Sequence, residues 1–298
     1  MQDILHYKSW VKIEPETRGW STDQKFHIVD DGGQHLLLRL APISQFAEKQ
    51  QEFFWIKQVA ATGIPMSQPV EFGVCNNGDT CYSLLSWIKG EDAAAWLATR
   101  TPSECYRLGV RAGVILKKIH TIAAPPAEQD VEQQMRAIFN RKLLAYRTTG
   151  LVIEPEADFL RYISQGFPLL HDISQTFLHG DFHVGNMIVG ADNQLYVIDF
   201  NRYKFGDPVR DFHRLAVFSR LVSIDFARGQ IDGYCGAHPP DNFFPRLAFY
   251  TAFDTFFSVL WARSFGEEET HRALQRVQMV GEDFAGFSRH VPQWYVQT

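Results

Sequence analysis

Short apolar runs bounded by turn residues recur along the first 90 residues, which is mostly the pattern of strands. Two turn signals interrupt the pattern, Asp30-Asp31-Gly32-Gly33 and Asn76-Asn77-Gly78-Asp79. Each turn lies between two apolar runs, so each predicts an antiparallel hairpin. The predicted strands cover residues 25–29, 35–40, 70–74 and 81–88.

The segment between the two hairpins has the periodicity of a helix. From about residue 44, the apolar residues Phe53, Ile56 and Ala60 recur at helical spacing. Gly63, followed by Pro65, is a typical helix end. The N-terminal region is therefore predicted to be a small sheet with one inserted helix.

Beyond residue 90 the periodicity is mainly helical. Helices are predicted at residues 103–122, 128–147 and 156–165 and again from residue 211 onward, with strand-like segments at 177–178, 187–189 and 195–200. This order predicts an α+β fold of two lobes, a mainly β lobe over residues 1–88 and a mainly helical lobe over residues 89–298. Because no flexible linker separates them, we expect a short hinge near residues 86–90.

The composition is that of a globular chain. With 45% hydrophobic and 21% charged residues over 298 positions, it excludes a disordered or collagen-like polypeptide. The 24 Phe residues predict an aromatic core. The net charge of −5 argues against nucleic-acid binding by bulk charge. It favours simple solubility, with a match to a cationic substrate as the alternative.

Cysteines and apolar segments bear on the cellular compartment. The four Cys residues are too few to crosslink a chain of this length, and none has CxxC spacing, so reduced, buried thiols are expected. The N-terminus lacks a signal-peptide pattern, and no apolar run approaches the roughly 18 residues of a membrane helix. We expect a cytoplasmic monomer or weak dimer that binds neither membrane nor nucleic acid.

The candidate chemistry lies between residues 177 and 211. A short apolar strand leads into a loop in which Asp181 and Asn186 are five residues apart, and Asp199 follows at the end of a later strand. Hard oxygen ligands such as these suit Mg²⁺, which usually binds through one or two protein oxygens and substrate phosphates. One acid, Asp181, is then left to accept a proton from an attacking hydroxyl. This set of groups is typical of phosphoryl transfer.

Two motifs carry a family resemblance. The segment His179-Gly180-Asp181-Phe182-His183 with Asn186, and Ile198-Asp199-Phe200 with Gly206-Asp207-Pro208 and Asp211, resemble the aminoglycoside phosphotransferase family. The resemblance implies a protein-kinase-like fold. It implies that Asp181 is the catalytic-loop aspartate, that Asn186 and Asp199 bind Mg²⁺, and that no DFG-type switch operates, since Asn201 stands where protein kinases have glycine.

The resemblance also assigns nucleotide-binding residues in the first lobe. Arg39 aligns with the phosphate-binding lysine of kinases, and its guanidinium preserves the charge while changing the geometry. Glu52 matches the helix glutamate that pairs with this cation, and Glu48, one turn earlier, is the competing candidate. Ser21, in the segment of residues 18–23, is expected to cover phosphates, although this segment is no GxGxxG loop and an ordinary polar turn is the alternative.

The predicted hinge supplies the base-binding groups. Leu85 is expected to be the gatekeeper, and the Ser86 carbonyl and the Ile88 amide are expected to bind adenine. Backbone recognition leaves no side-chain signature, so ATP is the expected nucleotide and GTP remains possible. Trp87 is either a lid over the nucleotide or substrate site or a partly exposed hinge aromatic.

Other polar residues have both a structural and a functional interpretation. For His179, His183, Asp207 and Asp211 we favour fixing of the loop over contact with substrate. Asp254 interrupts an apolar helix and either binds a substrate amine or has a buried partner. Basic residues after the second motif either favour an anionic substrate or pair with carboxylates; they are Arg202, Arg210 and Arg214. The acidic residues 267–269 are best explained by helix-terminus effects.

These features predict an ATP- and Mg²⁺-dependent phosphotransferase that acts on a hydroxyl of a small molecule, with an aminoglycoside as the leading acceptor. The alternatives are a kinase of a macrolide, choline, homoserine or a sugar, and a nucleotide-binding pseudokinase that serves as an interaction module. A protein kinase is disfavoured because no Ala-Pro-Glu segment follows Asp199 and Asp211 lies only twelve positions later.

Overall fold

The computed structural model describes residues 1–17, 22–126, 130–236 and 238–295. The chain forms two compact units. The first comprises Met1–Ala93 and Asn186–Asn201, and the second comprises Ala94–Gly185 and Arg202–Thr298. The first unit is thus discontinuous in sequence, whereas the predicted lobes, 1–88 and 89–298, are continuous. The functional division between those lobes stays a prediction.

The strands are short and antiparallel in their pairings. They are β1 (Trp10–Glu16), β2 (Gln24–Asp30), β3 (His35–Pro42), β4 (Pro69–Cys75), β5 (Thr80–Ser86), β6 (Gly90–Asp92), β7 (Thr176–Leu178), β8 (Met187–Gly190), β9 (Leu195–Val197) and β10 (Lys204–Gly206).

The helices follow the predicted order. They are α1 (Phe46–Ala60), α2 (Ala93–Leu97), α3 (Pro102–Ile119), α4 (Val131–Arg147), α5 (Glu156–Gly166), α6 (Arg220–Val222), α7 (Ile224–Cys235), α8 (Phe243–Ala262) and α9 (Glu267–Asp283). A 3-10 turn, Pro208–Phe212, and a π-helical turn, Leu215–Ser219, precede α6.

The main sheet of the first unit has the order β1-β2-β3-β5-β4, with α1 inserted between β3 and β4. This arrangement confirms the two predicted hairpins and the inserted helix. In β3, Leu36, Leu38 and Leu40 alternate into a buried core. Because successive strand residues point to opposite faces, Arg39 lies on the other face of β3.

A second small sheet of this unit has the order β6-β8-β9. Met187 of β8 is opposite Val197 of β9, so Asn186 and Ile198 both lie at the open end of this hairpin. The Ile198 N–H donates to the Asn186 carbonyl at 3.0 Å. The pairing therefore brings Asn186 and Asp199, thirteen positions apart in sequence, to the same end of one hairpin.

The second unit is mainly helical around an aromatic core, as its composition predicted. The buried phenylalanines of α8 pack against rings from α4 and α5; contacts include Phe139–Phe253, Phe139–Phe257 and Phe159–Phe256. The apolar stretch of residues 247–261 is thus a buried helix, as predicted. A two-stranded sheet of β7 and β10 places Lys204 opposite Leu178.

Four glycines let α3 and α7 approach closely. A Cβ atom on Gly109 or Gly113 would lie 2.1 or 2.2 Å from the carbonyl oxygens of Phe226 and Gln230. The same holds on α7, where Gly229 and Gly233 face carbonyl oxygens of α3 at 2.2 Å. Only a hydrogen atom fits at these backbone contacts.

The cysteines and the helices can be compared with the expectations of buried thiols and of no membrane-length apolar segment. The cysteines are free, with Cys75, Cys81 and Cys105 buried as predicted and Cys235 only half-buried. Within the part of the chain that the structure describes, every helix is too short or too polar to cross a bilayer.

Candidate active site

A buried group of charges lies beside β3 in the first unit. Arg39 donates from Nη2 and Nε to Asp23 Oδ2, at 2.7 and 3.1 Å, and from Nη1 to Glu52 Oε1 at 3.0 Å. Lys49 Nζ lies 2.9 Å from Asp23 and 3.3 Å from Glu52. Asp199 Oδ1 is 3.9 Å from Arg39 Nη1. Burial would lower the pKa of Arg39, but Glu52, Asp23 and Asp199 raise it overall.

Local structure explains these contacts. Glu52 lies on the buried face of α1, above Arg39, whereas the competing Glu48 is exposed. Lys49 is one turn before Glu52 and therefore shares its face of the helix. Lys25 of β2 is opposite Arg39, and Asp23 shares the strand face of Lys25, which makes Asp23 a diagonal neighbour of Arg39.

Asp23 and Lys49 were missed by the sequence analysis. The available signals were the three-residue spacing of Lys49 and Glu52 and the place of Asp23 immediately before β2, the strand that pairs with the Arg39 strand. Neither signal identifies a partner without the strand register. Ser21, the predicted phosphate-covering residue, lies outside the described residues.

Asn186 and Asp199 offer oxygen ligands at the open end of the β8–β9 hairpin. Asp199 has a φ of 66°, which is uncommon outside glycine and holds its half-exposed carboxylate beside Arg39. Among the described residues, no three His, Cys, Asp or Glu side chains form a closed metal centre. One carboxylate and one amide fit Mg²⁺, whose other ligands are usually phosphate and water.

The hinge is partly engaged in hydrogen bonds of its own. The Ser86 carbonyl accepts from Ser67 Oγ, which leaves its second lone pair for a base, and the Ser86 N–H donates to Gln68 O at 2.8 Å. Within the described residues, the Ile88 N–H donates to no protein acceptor. Leu85, the predicted gatekeeper, is buried.

Trp87 and its neighbours line a cavity of about 500 Å³. The cavity is bounded by residues 33–35 of the β2–β3 turn, hinge residues 86–89, residues 190–192 of the β8–β9 turn and Tyr196. The centroids of the Trp87 and His27 rings are 4.2 Å apart, and the backbone N–H of Trp87 donates to the His35 carbonyl. Trp87 is therefore half-buried against β2 and β3.

In the second unit, Asp181 lies among cations. Arg214 Nε is 3.0 Å from Oδ1, His183 Nε2 is 3.6 Å from Oδ1, and Arg202 Nε is 3.9 Å from Oδ2. The Gly185 N–H donates to His183 Nδ1, which leaves the ring proton on Nε2, facing Asp181. Burial would raise the pKa of Asp181, but His183, Arg214 and Arg202 hold it well below its ordinary value.

Asp211 fixes the loop that carries Asp181. Its buried carboxylate accepts the His179 N–H at 2.7 Å, the Gly180 N–H at 2.8 Å and a hydrogen bond from His120 Nε2 at 3.1 Å. Gly180 has a φ of 78° and packs on the Arg202 carbonyl, where a Cβ atom would clash. The expected scaffold roles of Asp211 and the buried His179 are confirmed.

Asp207 and Asp254 also have protein partners. Asp207 accepts the Val209 N–H and pairs with Arg246 at 2.9 Å, which confirms its expected role in fixing the chain. Asp254 forms a two-pronged pair with Arg210 at 3.0 and 3.2 Å. Asp254 therefore has the buried partner that one of its two interpretations requires, and binding of a substrate amine there stays a prediction.

The family follows from comparison with known proteins. A model described as "Phosphotransferase enzyme family" matches residues 12–246. The chain belongs to the phosphotransferase enzyme family. The match covers both motifs and most of both units, so it confirms the resemblance on which the site assignments depend.

Solved structures confirm the protein-kinase-like fold of this family member. A choline/ethanolamine kinase family protein from Mesorhizobium loti has 17% identity and a TM-score of 0.71, over 97% of this chain and 94% of that chain. A GDP complex of aminoglycoside 2′-phosphotransferase-IIIa has 16% identity and a TM-score of 0.65, over 94% and 95%.

Another similar structure is a thermostable mutant of aminoglycoside phosphotransferase APH(4)-Ia with ADP and hygromycin B, with 16% identity and a TM-score of 0.65, over 92% of this chain and 94% of that chain. At these identities the likeness shows the fold alone. A search of curated protein sequences finds no match to this chain.

Proposed function

We propose that this phosphotransferase moves the terminal phosphate of ATP to a hydroxyl of a small molecule. The observation that carries the proposal is the setting of Asp181. It lies on the matched motif, on a loop fixed by Asp211, and cations keep it ionised. An ionised carboxylate on a rigid loop is suited to hold an attacking hydroxyl in line with a phosphate.

Asp181 acts as a hydrogen-bond acceptor that orients the hydroxyl. Its lowered pKa makes it a weak base, so it takes the proton late, when the new O–P bond has largely formed. The hydroxyl oxygen bonds to the γ-phosphorus, the bond from that phosphorus to the bridging oxygen breaks, and ADP leaves. The hydroxyl proton passes through Asp181 to solvent.

The first unit supplies the nucleotide-binding groups. Arg39 and Lys49 provide positive charge for phosphates, and Glu52 and Asp23 hold both cations in place. Asn186 and Asp199 would hold Mg²⁺, which when bound neutralises phosphate charge. The Ser86 carbonyl and Ile88 amide remain the proposed base-binding groups, and GTP is the alternative because similar structures hold GDP as well as ADP.

Several classes of small molecule are candidates for the phosphate acceptor. Aminoglycosides are the acceptors suggested by the similar structure with hygromycin B, and choline or a related alcohol is suggested by the choline/ethanolamine kinase relative. Macrolides, homoserine and sugars complete the set to be tested.

The test is release of ADP or GDP across this acceptor panel. We expect Asp181→Asn to lower kcat by about 10²–10⁴-fold, since the amide cannot accept the proton, with little change in nucleotide KM. Asp172→Asn makes the same change at an exposed position with a positive φ that Asn tolerates, and should leave turnover unchanged.

Near-normal turnover of Asp181→Asn would overturn the role of Asp181. Nucleotide binding without turnover of any acceptor would favour the interaction module.

A further inference from the structure

The second unit concentrates positive charge around Asp181 and Asp254. We name these residues the basic cluster: Lys142, Arg202, Lys204, Arg210 and Arg214. Arg202 and Arg214 lie beside Asp181, and Arg210 pairs with Asp254. Within the described residues, Asp181, Asp254 and the deeper Asp211 are the acids beside the cluster, and Asp211 already binds His120 and two backbone amides.

Two members of the cluster lack a carboxylate partner. Within the described residues, neither Lys142 Nζ nor Lys204 Nζ lies within 4.0 Å of a carboxylate oxygen. Lys142 instead lies over the Phe253 and Phe257 rings, 5.7 Å from each centroid. Such cations lose hydration without a carboxylate in direct contact, so more distant acids offset only part of the cost in folding free energy.

Electrostatics within the cluster agrees with this geometry. Burial, with repulsion from Arg210 and Arg214, lowers the pKa of Lys204 to about 8 against the opposing effect of Asp254. Burial also lowers the pKa of Lys142; Asp254 opposes this shift, and Arg210, Arg141 and Arg214 add to it. Both ammonium groups would gain from a bound anion.

Several acidic side chains of the second unit that could otherwise recognise an amine already pair with arginines. Glu268 and Glu269 pair with Arg272 and Arg276 on their own helix. Other acids also have Arg partners: Asp207 with Arg246, Asp254 with Arg210 and Asp283 with Arg220. A polycationic acceptor would therefore meet a surplus of like charge.

We propose that the hydroxyl acceptor carries an oxyanion, a carboxylate or a phosphate ester, which binds Lys204 and Arg202 of the basic cluster while its hydroxyl faces Asp181. The inference rests on the proposed function for the role of Asp181. The β7–β10 pairing supports the placement, because it puts Lys204 opposite Leu178, three residues before Asp181. The packing of Gly180 on the Arg202 carbonyl holds the second cation beside the same loop.

The test uses acceptors that differ in one charged group. Gluconate is compared with glucose, glycerol 3-phosphate with glycerol, and hygromycin B serves as the polycation. Binding is measured by calorimetry, and turnover is measured in parallel with ATP and Mg²⁺. Because Asp199→Ala is expected to block phosphate transfer while leaving the second unit unchanged, binding to this variant isolates recognition from chemistry.

Lys204→Gln and Arg202→Gln each remove one cation from the cluster. The control is Arg161→Gln, which removes the same charge from an exposed pair with Asp158. We expect an anionic member to bind at least tenfold more tightly than its neutral partner, and either cluster variant to weaken that binding at least tenfold. Arg202 is half-exposed, so its variant keeps the test available if Lys204→Gln does not fold.

The outcomes distinguish failure of the anion-site inference from failure of the proposed phosphate transfer. Failure of every anionic member to bind saturably, or turnover of hygromycin B that survives Lys204→Gln, would overturn the inference. Gluconate and glycerol 3-phosphate distinguish the carboxylate from the phosphate. Anion binding that depends on Lys204, without turnover of any acceptor, would uphold the anion site and overturn the proposed transfer.

Discussion

Charged residues in this chain are held by partners that lie far away in sequence. Arg39 meets Asp23, Glu52 and Asp199, which come from three different segments. Removing Asp23 or Glu52, the two buried partners, leaves the Arg39 guanidinium uncompensated, typically at a cost of about 3–5 kcal/mol. A single substitution here therefore tests stability as well as nucleotide binding.

His213 gives a prediction at the scale of one residue. It is buried and donates from Nδ1 to the Arg210 carbonyl at 2.6 Å, with Asp254 3.9 Å from Nε2. Burial, with repulsion from Arg214 and Lys204, lowers its pKa to about 4 despite Asp254. In the unfolded chain the His pKa is about 6.5. Between about pH 4 and 6.5, this residue is therefore protonated in the unfolded chain and neutral in the folded chain.

This contribution to stability is complete above about pH 6.5 and is lost as the pH falls toward 4, by about 3 kcal/mol in all. We expect the free energy of unfolding of His213→Gln to fall less than that of the wild type over this range, measured by urea denaturation. Parallel pH profiles of the two proteins would contradict the prediction.

The contact of α3 with α7 shows how whole elements are placed. Two pairs of glycines, each four residues apart, meet across this contact, and backbone carbonyls fill the space that side chains would need. The same glycines weaken each helix in isolation, by roughly 1 kcal/mol each relative to alanine. The close approach is therefore a tertiary effect that opposes local helix propensity.

Gly113→Ala should destabilise the protein by about 1–3 kcal/mol, because the new Cβ lies 2.2 Å from the Gln230 carbonyl and no side-chain rotation relieves a backbone clash. Gly281→Ala is the matched control. Its Cβ would meet Phe159 at 3.6 Å and Pro155 at 3.9 Å, both ordinary contact distances, so helix propensity should stabilise the protein by about 0.5–1 kcal/mol. Chemical denaturation measures both, and equal effects would refute the packing argument.

At the scale of the whole molecule, net charge conceals the local field. The chain carries −5 overall, yet the second unit surrounds Asp181 with cations. Bulk charge therefore describes solubility and says little about the substrate. The distribution of the charges determines the field at Asp181, because Glu268, Glu269 and Asp283 are each neutralised by an Arg in contact with them.

Ligand binding gives a prediction at this scale. ATP with Mg²⁺ at 100 times its Kd should stabilise the folded chain by about 2.7 kcal/mol and raise the Tm accordingly. Asp199→Ala should lose most of the part that depends on Mg²⁺, while Asp172→Asn should retain it. Thermal denaturation with and without EDTA measures this, and equal shifts for wild type and Asp199→Ala would argue against the proposed metal role of Asp199.

Periodicity and turn signals were enough to predict the α+β class, the two hairpins and the inserted helix. Composition predicted the aromatic core, and short motifs led to the family. These features depend on periodicity, turn residues and short spacings, which are local properties. Helix ends such as Ala60 and Gly166 fell close to their predicted positions for the same reason.

Which charges meet became clear from the three-dimensional packing of the chain. This packing joined residues 186–201 to the first unit, brought Asp23 and Lys49 to Arg39, and gave Asp254 to Arg210. The reason is that ion-pair partners follow no repeating spacing along the sequence. The partner of a charge depends on strand register and helix packing, which are set by apolar contacts elsewhere in the chain.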